Sequence, residues 1–236
     1  MKPAISVVIP TLNEGKFIEY TLASARNQDF EKKYEIIVSD SSSKDNTARI
    51  ARKHADRVIV TKKMGVSAGR NAGAAAAKGD LLLFLDADTV LLPNVLSEVY
   101  DYFQKHRRVI GLNVPLLCDS YQKNILYLAS TYVYRALKRA KLQPIYAVCF
   151  ACKRNAFFEA GGFPENLKVA EDIHLGQRLK KLGRIDYLKS TFAITSSRRL
   201  QKWNLLKQLN AWPLGYLYIK YLKLQPAYPP IRSAKK

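Results

Sequence analysis

The chain has 236 residues, of which 48% are hydrophobic, and a formal net charge of +20. This length and apolar content can bury a full core, and the absence of internal repeats excludes a repeat architecture. Cys149 and Cys152 have the spacing of a zinc or redox pair, but no second pair completes a zinc site. We therefore expect the cysteines, Cys118 included, to be ordinary buried residues.

The N-terminal half alternates apolar runs with segments of helical spacing. Four apolar runs predict strands that are buried on both faces: 5–9, 34–38, 57–60 and 81–85. Apolar or small residues at helical spacing separate them, the last such segment being 66–77. This order predicts a mostly parallel, Rossmann-like sheet flanked by helices, with ligand loops at the carboxyl ends of its strands. Those loops are 10–15, 39–46, 64–71 and 86–89.

Two acids, Asp86 and Asp88, follow the fourth predicted strand with only Ala87 between them. Carboxylates at this spacing suit Mg²⁺ or Mn²⁺, which take one or two protein oxygens and complete their coordination with phosphate and water. The pair therefore predicts a metal site and a phosphorylated substrate. The alternative is that the two acids only cap a turn or a helix.

Four motifs in this half resemble the ordered signature of family 2 glycosyltransferases, which have the GT-A fold. They are 6–14 (SVVIPTLNE), 38–45 (VSDSSSKD), 69–73 (GRNAG) and 86–88 (DAD). Two later segments continue the resemblance: 161–165 (GGFPE) followed by Glu171 and Asp172, and 197–199 (SRR) with Trp203. Together the motifs cover roughly residues 5 to 203.

The resemblance implies a nucleotide-sugar site. Asp40 and Arg70 would hydrogen-bond the pyrimidine, and Asp88 would ligate the metal at the diphosphate with Asp86 near the ribose or the metal. The remaining residues that it assigns to the nucleotide sugar are Pro10, Thr11, Glu14, Ala87, Arg198 and Arg199. For several of these residues a structural role is the alternative: a polar turn for Asp40, and surface charge for the two arginines.

The resemblance also implies the catalytic carboxylates. Asp172 would be the general base of an inverting transfer, taking the proton of the acceptor hydroxyl, with Glu171 beside it. The alternative is that both acids only stabilise the first turn of the helix that they open. His174 lies two residues further on and is the other candidate for contact with the acceptor.

The chain departs from the family pattern at two positions. Asp40 is followed by Ser41 where many relatives have a second acid, which leaves the base, and hence a UDP- or GDP-sugar donor, open. Residues 198–203 (RRLQKW) differ from the Gln-x-x-Arg-Trp element of processive members, and the multiple membrane spans of those members are missing. Both departures favour transfer of a single sugar.

Positive charge is concentrated in the second half, where residues 113–236 hold 22 of the 39 basic residues and 6 of the 19 acids. Within it, 125–141 and 203–224 combine large apolar residues with lysine or arginine at helical spacing. Such a basic helical C-terminal part predicts contact with an anionic membrane surface, although packing on the core is the alternative. The first three residues lead directly into a strand, so we expect no signal peptide and a peripheral enzyme on the cytoplasmic face of the cell membrane.

The sequence therefore predicts a metal-dependent, inverting glycosyltransferase that uses Mn²⁺ or Mg²⁺ and a lipid-linked or phosphorylated acceptor. We divide it into a nucleotide-sugar half at 1–112, an acceptor half at 113–200 and the basic segment at 201–236. A nucleic-acid-binding α/β protein is the alternative that the pI of about 9.9 favours, but we expect no nucleic acid, because carboxylates at the site would repel phosphate without a metal. A nucleotidyltransferase would have a glycine-rich phosphate loop where this chain has 10–14 (PTLNE). The sugar, the acceptor and the oligomeric state are left open.

Overall fold

The computed structural model describes residues 1–62, 65–120, 145–167 and 170–198. Its strands are β1 (Ile5–Thr11), β2 (Tyr34–Asp40), β3 (Arg57–Val60), β4 (Leu81–Leu85), β5 (Thr89–Leu91), β6 (Val109–Asn113), β7 (Leu116–Cys118), β8 (Cys149–Lys153), β9 (Arg184–Tyr187) and β10 (Ala193–Thr195). Its helices are α1 (Ile18–Arg26), α2 (Thr47–His54), α3 (Val66–Ala76), α4 (Val95–Lys105), α5 (Arg154–Glu159) and α6 (Glu171–Leu182).

Seven strands form one twisted sheet in the order β3-β2-β1-β4-β8-β6-β9. Every neighbouring pair in it is parallel except that β8 runs antiparallel to both β4 and β6. A second, three-stranded sheet has the order β5-β10-β7. The prediction of an α/β protein with a mostly parallel sheet and flanking helices is confirmed.

The central strands of the large sheet are mostly apolar because both of its faces are covered. Side chains of α1, α2 and α4 pack on one face, and those of α3, α5 and α6 pack on the other. Successive residues of a strand alternate between these faces, so Val7 belongs to the first core and Val8 to the second. Cys149 and Cys152 of β8 are likewise divided between the two cores. All three cysteines are buried, as predicted, and none forms a disulfide.

Helix α3 lies unusually close to β1 because two glycines face the strand. A Cβ added at Gly73 would stand 2.4 Å from Val8 Cγ1, and one added at Gly69 would stand 3.1 Å from Pro10 Cβ. Real Cβ atoms do not approach other atoms as closely as the first of these distances, so Gly73 is required by packing. The close approach carries Arg70, which lies between the two glycines, to the carboxyl edge of the sheet.

Several predictions fall on residues outside the described ranges: the helices at 125–141 and 203–224, the basic segment at 201–236, and Arg199. Among the helices that the structure describes, none combines the length and the apolar content needed to cross a membrane. The large sheet takes strands from both 1–112 and 113–200. The proposed division of the chain stays a prediction.

Candidate active site

Asp40 lies at the carboxyl end of β2, with its carboxylate buried among protein donors. Thr11 Oγ1 at the end of β1 donates to Asp40 Oδ1 over 2.9 Å. The backbone N–H of Ser43 donates to Asp40 Oδ2 over 2.9 Å, and the Ser43 hydroxyl donates to Oδ1. A carboxylate offers about four acceptor positions, so these three bonds leave room for one more donor, such as a ring N–H. The carboxylate therefore orders the loop after β2, and its contact with a base stays a prediction.

Arg70 occupies the centre of the site, with its side chain only 4% exposed. Its Nη2 donates to Asp86 Oδ1 over 2.9 Å, and its Nη1 donates to Glu171 Oε1 over 2.8 Å. Its guanidinium carbon also lies 5.0 Å from the ring centre of Phe163. One guanidinium thus joins the end of β4, which carries the predicted metal ligands, to the first turn of α6, which carries the predicted catalytic acids.

The pKa of Arg70 is raised overall. Burial lowers the pKa, but the charges of Asp86 and Glu171 and the hydrogen bonds to them raise it by more. The guanidinium therefore stays charged at every working pH. Both of its terminal nitrogens already bind carboxylates. Its contact with a pyrimidine stays a prediction.

Asp172 follows Glu171 in the first turn of α6 and is half-buried. Its Oδ1 accepts the backbone N–H of Ile173 over 2.8 Å. Burial and the neighbouring charge of Glu171 raise the pKa of Asp172 to about 7, although the charge of Arg70 and two backbone hydrogen bonds lower it. A carboxylate that titrates near neutral pH is suited to accept a proton there.

Asn71 is a site residue to which the sequence analysis gave no role. Its Nδ2 donates to the carbonyl of Phe163 over 2.8 Å, and its Oδ1 accepts the N–H of Phe163 over 2.9 Å. These paired bonds hold the loop that precedes α6 against α3. The position of Asn71 beside Arg70 in the motif at 69–73 could have marked it as a site residue. Its partner, Phe163, lies 92 residues away and could not be identified from local spacing.

Asp88 is bound by an arginine from the far end of the described chain. Arg198 Nε donates to Asp88 Oδ2 over 2.8 Å, and Arg198 Nη2 donates to Glu14 Oε1 over 2.6 Å. The arginine arrives there because β10 pairs with β5 and the N–H of Ser196 donates to the carbonyl of Asp88. Burial lowers the pKa of Arg198, but the bond to Glu14 and the charge of Asp88 outweigh it and raise that pKa.

The backbone between the two acids is fixed by α1, because Thr21 Oγ1 donates to the carbonyl of Ala87 over 2.8 Å. Among the described residues, no group of three or more His, Cys, Asp or Glu side chains could hold a metal by itself. Asp86 and Asp88 nonetheless fit Mg²⁺ or Mn²⁺, since these ions are bound through one or two carboxylates together with substrate phosphates. Pro10 lies at the same edge, under Gly69.

The structure thus brings the predicted residues into two linked groups. Arg70 joins Asp86 and Glu171, and Arg198 joins Asp88 and Glu14, while only Ala87 separates the two aspartates that follow β4. His174 lies further along α6, where it lines a shallow depression with residues that include Gln177, Arg178 and Lys181.

The family model for glycosyl transferase family 2 matches residues 6–160 of the chain. Among curated relatives, the chain is 38% identical over 102 residues to GalNAc(5)-diNAcBac-PP-undecaprenol beta-1,3-glucosyltransferase of Campylobacter jejuni, covering 40% of this chain and 33% of that protein. It is 27% identical over 183 residues to poly(ribitol-phosphate) beta-N-acetylglucosaminyltransferase TarS of Staphylococcus aureus, covering 71% of this chain and 30% of that protein. It is 28% identical over 195 residues to O-antigen chain rhamnosyltransferase WbaN of Salmonella anatum, covering 77% of this chain and 62% of that protein. The chain thus spans about one third of the first two relatives.

Solved structures agree on the fold. The mannosyltransferase PcManGT from Pyrobaculum calidifontis, in complex with GDP-Man and Mn²⁺, superposes with a TM-score of 0.72 at 20% identity, covering 98% of this chain and 67% of that one. S. aureus TarS 1-349 in complex with UDP superposes with a TM-score of 0.66 at 22% identity, covering 83% of this chain and 60% of that one. The fold is therefore GT-A, as predicted. Because the family model spans more than half of its length, the chain belongs to glycosyl transferase family 2.

Proposed function

We propose that the chain is an inverting glycosyltransferase that moves one sugar from a UDP- or GDP-sugar to a lipid-linked or other phosphorylated acceptor. The observation that carries the proposal is the buried guanidinium of Arg70, which binds Asp86 on the donor side and Glu171 on the acceptor side. The guanidinium would thus link the site of the leaving diphosphate to the site of the attacking hydroxyl.

On the donor side, Asp40 would accept a ring N–H of the base, with Pro10 and Thr11 lining the base and the ribose. Asp88 and Asp86 would hold Mn²⁺ or Mg²⁺, which when bound would supply positive charge to the departing diphosphate. The comparisons support this class of donor, because TarS was solved with UDP and with UDP-GlcNAc, and PcManGT with GDP-Man and Mn²⁺.

On the acceptor side, Asp172 would take the proton of the acceptor hydroxyl, and the backbone N–H of Ile173 would keep its carboxylate in place. The names of relatives refer to acceptors that contain phosphate, an undecaprenol diphosphate in one and poly(ribitol-phosphate) in another. The basic second half of the chain favours such an anionic acceptor at the cytoplasmic face of a membrane.

A panel of UDP- and GDP-sugars, each with Mn²⁺ or Mg²⁺, tests the proposal through release of the free nucleoside diphosphate. We expect one donor to be hydrolysed or transferred well above the others, and only in the presence of metal. If no nucleotide sugar binds while RNA or heparin binds tightly, the alternative of a basic nucleic-acid-binding protein replaces this proposal.

Asp88→Ala is expected to weaken nucleoside diphosphate binding in Mn²⁺ by at least about tenfold, which is 1.4 kcal/mol. The carboxylate that would hold the metal is then missing, while Arg198 keeps its bond to Glu14. Isothermal titration with UDP and GDP gives the affinities, and thermal melting checks that the fold is kept.

The matched control is Asp80→Ala, because Asp80 is also an aspartate beside β4 but is exposed and pairs only with Lys2 among the described contacts. This control should bind like the wild type. Full metal-dependent affinity in Asp88→Ala would remove Asp88 from the metal site.

A further inference from the structure

The guanidinium of Arg198 bridges two carboxylates, those of Asp88 and Glu14. Its Nε bonds to Asp88 Oδ2 and its Nη2 bonds to Glu14 Oε1. The second oxygen of Glu14, Oε2, is buried and has no hydrogen-bond partner among the described residues. Only one of the two carboxylate oxygens of Glu14 therefore accepts a hydrogen bond from the charged guanidinium of Arg198.

The bond to Asp88 places a cation on a carboxylate that the proposed function assigns to a metal. The Asp88 side chain is only 6% exposed, so the two positive charges would meet on it with little water between them. Like charges at contact in such a site repel strongly. A divalent ion should therefore bind Asp88 more tightly once Arg198 has left it.

The surroundings of Arg198 allow that step. Its side chain is 33% exposed, and its guanidinium carbon lies 4.7 Å from the ring centre of Phe17, a flat surface along which a guanidinium can turn. The unpartnered Oε2 of Glu14 can accept the N–H that Asp88 gives up. A guanidinium favours a bidentate pair with one carboxylate. In that pair Arg198 would donate as many hydrogen bonds as it does now.

We propose that Arg198 is a displaceable counter-ion of Asp88, which moves to a bidentate bond with Glu14 when a divalent cation binds. This inference rests on the proposed function and adds a regulatory step to it. In the metal-free protein Arg198 neutralises Asp88, and it thereby keeps the affinity for the metal alone low. Cation and nucleoside diphosphate would then bind together, since the phosphates would supply further ligands for the cation that competes with the arginine.

Two other roles for Arg198 predict different changes in the affinities for metal and for nucleotide when the arginine is removed. If the arginine only contacted the diphosphate, its removal would leave the affinity for metal alone unchanged and would weaken nucleotide binding. If the salt bridge only organised the site, its removal would weaken both affinities. A displaced counter-ion predicts that the protein without Arg198 binds metal alone more tightly. Repulsion through space predicts the same gain, and Arg198→Lys distinguishes the two.

The experiment measures Mn²⁺ binding to the full chain without nucleotide, through loss of the electron paramagnetic resonance signal of free Mn²⁺. We expect Arg198→Gln to bind Mn²⁺ at least about tenfold more tightly than the wild type, because the competing charge is gone. Arg198→Lys keeps the charge but lacks the planar fork, so it should bridge the two carboxylates poorly and bind Mn²⁺ with intermediate affinity. Arg184→Gln is the matched control, since Arg184 is paired with Asp186 on β9, and it should bind like the wild type.

The outcomes separate this inference from the proposed function. If the wild type binds UDP or GDP with Mn²⁺ but Arg198→Gln binds Mn²⁺ alone no more tightly than Arg184→Gln, the counter-ion role is wrong and the glycosyltransferase proposal stands. A gain in Arg198→Gln with no gain in Arg198→Lys would mean repulsion through space without displacement, which also overturns the inference. If the wild type binds neither nucleotide with Mn²⁺, the proposed function itself fails.

Discussion

Replacing Asp172 by Asn is expected to slow sugar transfer by about 10²- to 10⁴-fold, the range that a positioned general base contributes. Asparagine has nearly the same shape and can still accept the N–H of Ile173, but it cannot take a proton. Affinity for UDP or GDP should stay close to that of the wild type, because no described hydrogen bond joins the Asp172 side chain to a donor-side residue. Single-turnover kinetics and nucleotide titration separate the two effects.

The pH dependence of the wild type should report the same residue. Burial and the charge of Glu171 raise the pKa of Asp172 to about 7, so the basic form is lost as the pH falls through that value. Transfer at saturating donor should therefore fall towards acid pH, about tenfold per unit well below the pKa. The residual rate of Asp172→Asn should not show this fall towards acid pH. Glu159→Gln, on the exposed end of α5, is the control and should keep the wild-type profile.

Stability should move in the direction opposite to activity. The folded pKa of Asp172 lies above its unfolded value of about 3.9, so the neutral form is favoured by folding, and that stabilisation is lost progressively as the pH rises from about 4 to about 7. At pH 8 the charged aspartate costs stability that asparagine does not, and Asp172→Asn should melt at a higher temperature. Below about pH 4, where the aspartate is neutral in both the folded and the unfolded chain, the two proteins should melt alike. Near-normal turnover together with an unchanged melting temperature at pH 8 would exclude Asp172 as the base and direct attention to Glu171 or His174.

The strands of the N-terminal half were predictable because their burial has a simple signature. A strand that is covered on both faces is apolar at most positions, and β1, β2 and β4 are marked in this way along the printed sequence. The buried polar exceptions near the start of β1 and β2, Ser6 and Glu35, hydrogen-bond to each other. The polar residues that follow them had to lie at one edge, since parallel strands share their carboxyl ends. The location of Asp40, Asp86 and Asp88 therefore followed from local pattern and chain direction.

The contacts that organise the site were not predictable in the same way. Arg70 and Glu171 are separated by 101 residues, and Arg198 and Glu14 by 184. No local spacing encodes a pair at such distances, because the pairing depends on the order of strands in the sheet. That order includes β8 inserted antiparallel between β4 and β6, and the sequence offered only an apolar run for this strand.

Replacing Arg70 by Met is expected to lower the free energy of unfolding by about 3 to 5 kcal/mol, the cost of removing one partner from a buried ion pair. The side chains of Asp86 and Glu171 are only 12% and 15% exposed, so both carboxylates would be left charged and poorly solvated. Methionine keeps much of the volume and can still pack on Phe163. The loss should therefore come from the unpaired charges and not from a cavity, and urea denaturation measures it.

A second substitution tests that cause. Adding Glu171→Gln to Arg70→Met neutralises one of the two stranded carboxylates, so the double variant should recover part of the lost stability although it lacks two native groups. Arg154→Met is the matched control, because Arg154 also stacks on a phenylalanine, Phe158, but has no described ion pair. It should cost less than about 1 kcal/mol, in line with the loss of a single cation–π contact. If Arg70→Met is no less stable than Arg154→Met, or if adding Glu171→Gln lowers stability further, the guanidinium does not hold the donor and acceptor sides together by charge.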